Sequence, residues 1–159
     1  MDRNPLGELA AGGGSVAGSL RGEVHCDSRA AVNQDLHSAF VAGRTPYGSS
    51  QWLSQTTSPL GVTDAGAFGL DVTVSSVGEI FLVGVFWNAI ELGTHLEFSN
   101  GMSKDGFIAK LDSSGNWKWS STFGGTSNDD SMNGVAVDSN GDAYVVGAFR
   151  DHAYFNNSS

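Results

Sequence analysis

Asp138-Ser-Asn-Gly-Asp142 sets side-chain oxygens at alternate positions, an arrangement by which a loop can wrap a calcium ion. A twelve-residue calcium loop carries its glycine sixth and ends in a bidentate glutamate. Here the glycine is fourth and no such glutamate follows, so the stretch reads as a hairpin turn. Asn128, Asp129 and Asp130 form a second oxygen cluster, the better candidate for a ligand-contact loop. Calcium at such loops is the one weak cofactor possibility, and no cofactor is expected. His25-Cys26-Asp27 places three metal-ligand types in a row. Neighbours on a strand point to opposite faces, so the three do not converge on one ion. His37, His95 and His152 are scattered, and no metal site is expected from them. Cys26 is the single cysteine, which excludes an intrachain disulfide and a multi-cysteine zinc site. No Gly-x-Ser-x-Gly elbow, phosphate loop or His-Glu-x-x-His occurs, so no enzyme is expected.

The aromatic residues are the remaining candidates. Trp52 and Trp119 recur at matching places in the sequence, and with Trp117 they read as packing residues. Trp87 has no counterpart, since Arg150 stands in its place. A non-repeated aromatic on a loop is a candidate for contact with a ligand.

These residues need a frame, and the composition narrows it. A net charge of −9 argues against a nucleic-acid partner and against anionic membranes. The longest apolar run, Ile80 to Phe86, is far shorter than the ~18 residues of a spanning helix, so no membrane insertion is expected. The opening Met-Asp-Arg-Asn-Pro-Leu-Gly-Glu has no signal-peptide character. Against 3 prolines, 22 glycines indicate many tight turns.

Period-two alternation marks strands: Phe107, Ala109, Leu111; Trp117, Trp119; Val135, Val137; Tyr144, Val146, Ala148. Asn140-Gly141 between two such runs predicts a two-residue hairpin turn with positive φ at both residues. Internal repeats then set the architecture. Phe40, Gly48, Trp52 and Ser54 recur 67 positions later as Phe107, Gly115, Trp119 and Ser121. Gly78 to Phe86 recurs 63 positions later as Gly141 to Phe149, and Gly18 lies 66 before Gly84. Gly84 and Gly147 are expected where a neighbouring backbone or bulge needs the space. The unit is about 65 residues long and holds four strand-like runs, which is a propeller blade.

The run from Asp105-Gly-Phe-Ile-Ala-Lys-Leu through Trp117-Lys-Trp119, Phe123-Gly-Gly125 and Gly134-Val-Ala-Val-Asp138 resembles the bacterial seven-bladed β-propeller repeat, called SBBP. It is more distantly similar to NHL-type propeller repeats. The resemblance is best over Gly93 to Phe149 and weaker over Ser15 to Leu92. In the first copy Gly43-Arg44 and Thr57-Ser58 depart from the motif. The resemblance implies that Gly134 to Asp138 is an innermost strand, followed outward by Ala143 to Phe149, Phe107 to Leu111 and Trp117 to Phe123.

The expected fold is therefore all-β: a partial β-propeller of four-stranded antiparallel blades. Residues 1–14 are expected to be a flexible segment, 15–57 a partial blade, 69–123 a complete blade and 134–159 the start of a third. Nine strands, about two and a quarter blades, do not close a ring. The resemblance implies a cell-surface or secreted protein, of which this chain is expected to be a fragment. The function expected is a non-catalytic module for protein or glycan interaction, with further blades or self-association as other partners. The alternative is the non-catalytic part of a propeller enzyme such as a carbohydrate-active hydrolase or lyase.

Overall fold

The computed structural model describes residues 15–158 except 22, 33–36, 46, 48, 102 and 127–128. The segment 1–14 and Asn128 therefore lie outside the described residues. Fourteen strands and no helix are present among the described ones. The nine expected strands are all there, and five more are added.

The central layer contains β6 (Gly66–Val74), β7 (Ile80–Trp87), β10 (Asp105–Leu111) and β11 (Trp117–Gly124), antiparallel in that order. β7 and β10 are apolar on both faces and almost wholly buried, as befits strands covered on both sides. One face receives the three-stranded layer β1 (Ser15–Leu20), β4 (Ser38–Arg44) and β5 (Ser50–Gln55). Ala39 and Val41 there meet Leu82, Phe86, Phe107 and Leu111 in the first core. The other face receives the two-stranded layer β12 (Ser131–Val137) and β13 (Ala143–Ala148). Phe81, Val83, Ile108 and Met132 form the second core beneath it.

The glycines at matching repeat positions permit this close stacking of chains. A Cβ on Gly84 would overlap the Phe68 carbonyl oxygen, and one on Gly147 would overlap that of Ser131. The two pairs are repeat equivalents.

Three turns share one geometry. Ser75, Asp112 and Asp138 each donate N–H to the carbonyl four residues on, at 2.8, 2.9 and 3.0 Å. Gly78, Gly115 and Gly141 take the left-handed position, with φ of 83°, 82° and 89°. Asn140 is not in that region, which corrects the two-residue turn expected for Asn140-Gly141. The chain instead makes a turn from Asp138 to Gly141, with only the glycine at positive φ. Asp112 Oδ1 accepts from the N–H of Ser114 and Asn116, and Asp138 Oδ1 from Asn140 and Asp142. Those bonds hold both carboxyls below the usual range.

The remaining strands form arms. β2 (Glu23–Cys26) pairs with β3 (Arg29–Val32), and β8 (Ala89–Leu92) with β9 (His95–Phe98). Both hairpins interrupt the connection between second and third blade strands. β8 reaches back to the preceding layer, where Glu91 and Thr57 exchange backbone hydrogen bonds at 2.7 and 3.0 Å. β14 (Tyr154–Ser158) does the same one repeat later and pairs with β11, Gly124 opposite Tyr154. Gly124 and Tyr154 are the repeat equivalents of Thr57 and Glu91.

Candidate functional site

Trp87 lies at the first junction between successive layers, and Asp129 and Asp130 lie at the second. At the first junction His37 C=O accepts the Ala67 N–H at 3.0 Å. The His37 ring stacks 4.6 Å from Phe68, and both meet Trp87 at 6.0 and 5.5 Å. Trp87 also covers Gly66, where a Cβ would collide with its ring. Burial, helped by the Arg21 charge, lowers the His37 pKa. Trp87 is thus half-buried in an inter-blade aromatic cluster.

At the second junction the equivalents of His37, Phe68 and Trp87 are Lys104, Ser131 and Arg150. The backbone bond repeats, with Asp130 N–H donating to Lys104 C=O at 2.8 Å. Asp130 is buried, its two oxygens accepting the N–H groups of Gly125 (2.8 Å) and Arg150 (3.0 Å). Asp129 is exposed; it accepts the Lys104 N–H at 3.0 Å and pairs with its ammonium at 3.6 Å. These two acids of the expected loop clasp the blade ends. No ring contact or hydrogen bond joins Trp87 to them among the described residues.

The sequence reading missed Asp105. Its side chain is 0 % exposed, and Oδ2 accepts both the N–H and the Nδ2 of Asn100, at 2.8 and 2.9 Å. Oδ1 has no hydrogen-bond partner among the described residues. Burial pushes the carboxyl up to about 6, against the pull of Asn100 and with a push from Asp130. The only signal in the sequence was its repeat position, which holds Ser38 in the first copy. No group of three metal-ligating side chains occurs among the described residues. His25, Cys26 and Asp27 run into the β2–β3 turn, where the Asp27 carboxylate accepts the Ser50 N–H.

The other feature of the second junction is a cleft of about 810 Å³ between β10–β11 and β12–β13. Phe81, Ile108, Trp119 and Val145 line its apolar wall. Lys110 bonds Glu79 at 2.7 Å and lies 5.4 Å from the Phe81 ring centroid. A second space of about 250 Å³ adjoins Gly147, bordered by Phe123, Phe149 and Phe155. At the first junction the same volume is filled by β10 and β11. There the Trp52 Nε1 donates to Ser113 C=O at 2.9 Å and Ser54 Oγ to Gly115 C=O at 2.6 Å.

A family model described as the SBBP β-propeller repeat matches residues 118–148, which span β11 to β13. Residues 118–148 are thus similar to an SBBP repeat. A search of curated proteins finds no match. Together with the layers just described, this match supports an all-β partial β-propeller, and no closed ring forms among the described residues.

Proposed function

We propose that the chain is a non-catalytic propeller-repeat module that presents an interaction surface to a protein or glycan, within a larger cell-surface or secreted protein. The observation that carries this reading is a band of exposed apolar side chains on and beside β13. Tyr144 and Val146 project from its outward face, whereas Phe149 and Phe155 border the space beside Gly147, all more than half exposed. Apolar surface of this kind on a rigid frame is the mark of a contact site. Buried and turn carboxylates are already bound to backbone N–H groups, which supports a structural rather than a catalytic use of them. Self-association through the same face belongs to this reading.

Binding of the labelled chain to an array of cell-surface glycans and purified secreted proteins tests it. Wild type should bind a member of the array, and Tyr144→Ser with Val146→Ser should abolish that binding while keeping the melting midpoint. An array that draws no binding, or binding that the double variant retains, overturns the reading.

A further inference from the structure

We infer that Asn140 is a modification site: a self-reacting asparagine whose conversion to aspartyl and iso-aspartyl forms unlatches the β12–β13 turn. The chemistry favours an asparagine followed by glycine, because there the next backbone nitrogen is least hindered. The sequence has three such pairs, Asn100-Gly101, Asn133-Gly134 and Asn140-Gly141. In the reaction the Gly141 nitrogen attacks Asn140 Cγ and gives its proton to solvent. A C–N bond forms, and the side-chain nitrogen leaves as ammonia. Water then adds to either carbonyl of the cyclic imide and breaks one of its C–N bonds. One opening yields an aspartate, the other an iso-aspartate with an extra methylene in the main chain. Nothing is oxidised or reduced.

The fold ranks the three pairs. Asn100 is held: its backbone N–H and its Nδ2 both donate to Asp105 Oδ2, at 2.8 and 2.9 Å, and its carbonyl accepts from Ser103 Oγ at 3.2 Å. Turning its amide toward the Gly101 nitrogen strips a buried carboxyl of its partner. Asn133 is exposed but lies between paired residues of β12, where Met132 faces Gly147 and Gly134 faces Val146. The Val135 N–H just beyond is fixed by Asp71 Oδ2 at 2.9 Å, so attack there waits for the ladder to open. Asn140 is exposed, and its side-chain amide makes no hydrogen bond among the described residues. A Cβ on Gly141 would meet nothing within 4 Å. The bond that holds the attacking nitrogen, Gly141 N–H to Asp138 C=O at 3.1 Å, sits in a turn, where local opening is easiest. This openness belongs to the blade itself. The repeat equivalent of Asn140 is Val77, which is 75 % exposed although the central blade is covered on both faces.

What the reaction breaks is the Asp138 clamp. Asp138 Oδ1 accepts from the N–H of Asn140 and Asp142 at 2.9 and 3.0 Å, and the Asp138 N–H donates to Asp142 C=O at 3.0 Å. Either product sets a new carboxylate between Asp138 and Asp142, where like charges repel. The iso-aspartyl form also lengthens the main chain after residue 140 and carries Gly141 and Asp142 out of reach of Asp138. The pair that closes the hairpin, Val137 opposite Ala143, then loses its pin. Tyr144, whose hydroxyl bonds Asp138 Oδ2 at 3.3 Å, loses its anchor with it. The inference does not depend on what the module binds.

Ageing the whole purified chain at mildly alkaline pH tests it, with peptide mapping by mass and chromatographic separation of aspartyl from iso-aspartyl peptides. Asn140 should convert first, and Asn100 and Asn133 should lag by more than about tenfold, as the breaking of a pair of hydrogen bonds requires. In strong urea the three sites should react at similar rates. Amide exchange along β12–β13 should quicken in the aged chain. Asn140→Ser copies Ser114 of the Asp112 turn, whose N–H bonds Asp112 Oδ1 in the same way. That variant should keep the melting midpoint, and its β12–β13 exchange should not change with age. Asp105→Ala should speed conversion at Asn100 and leave Asn140 as it was. No conversion at Asn140 in the folded chain, conversion at Asn100 or Asn133 ahead of it, or aged wild type whose β12–β13 amides exchange as slowly as fresh ones overturns the inference.

Discussion

Asp105 shows how one side chain can set a pH response. Its carboxyl takes a proton at about 6 in the folded chain and near the ordinary carboxylate value, about 3.9, once unfolded. Between those values the folded state holds more protons, so its contribution is fully present below the lower one and is lost as pH rises through 6. Asp112 and Asp138 act with the opposite sign, since their pKa values are lowered. Comparison with Asp105→Asn cancels those two. The melting midpoint of wild type should gain on the variant by a few degrees, roughly, between pH 7 and pH 4; parallel profiles would refute this. Gly84→Val should cost about 1–3 kcal/mol, as overpacking does, because the new side chain meets both the Phe68 carbonyl and the Phe107 ring. Gly147→Val meets backbone but no such ring and should cost less, as paired thermal melts would show. The glycines were legible because the sequence repeats them. Asp105 was not, because an acid at the start of a strand reads as solvated; the loop at Asn100 and the end of β11 bury it.

At the scale of elements, strands with strong alternation were legible, and the resemblance supplied the order in which the four strands of a blade pair. The four-residue strands of the β8–β9 hairpin were too short to show a period, although Gly93 at φ 66° marks their turn. β14 was hidden for a different reason. Asn156, Asn157 and Ser158 have low strand propensity, and the edge of β11 imposes the extended form on them. The turn at Asn140 was misread because Asn-Gly alone does not fix loop length; the Asp138 carboxylate does so by binding two N–H groups. Asn156→Pro removes a backbone donor from the β11–β14 ladder. Hydrogen exchange should then quicken along Ser120–Gly124 while β7 and β10 stay protected. Unchanged exchange in β11 would show that the arm does not guard that edge.

On the scale of the whole molecule, stability is unevenly shared. The central layer is covered on both faces, and β12–β13 on one. In a stacked array each unit draws support from its neighbours, so the third layer should open first. Limited proteolysis should cut within residues 138–153 before it cuts β6 to β11; first cleavage inside the central layer would contradict the order. Truncation should follow the same gradient. Trp52→Ala loses a packed ring and its bond to Ser113, and should lower the melting midpoint more than Trp119→Ala, whose ring borders the cleft.

The back-reaching arms also bear on how the chain is made. Synthesis runs from the N-terminus, and the outer strand of each blade is complete well before the arm that pairs with it exists. Thr57 waits for Glu91, 34 residues later, and Gly124 waits for Tyr154. At about 5–20 residues per second, each outer edge stays unguarded on the ribosome for roughly 2–7 seconds. During that interval it is a template for wrong pairing with another nascent chain. The arm thus acts as a delayed seal, and slowing translation between Gly124 and Tyr154 lengthens the hazard.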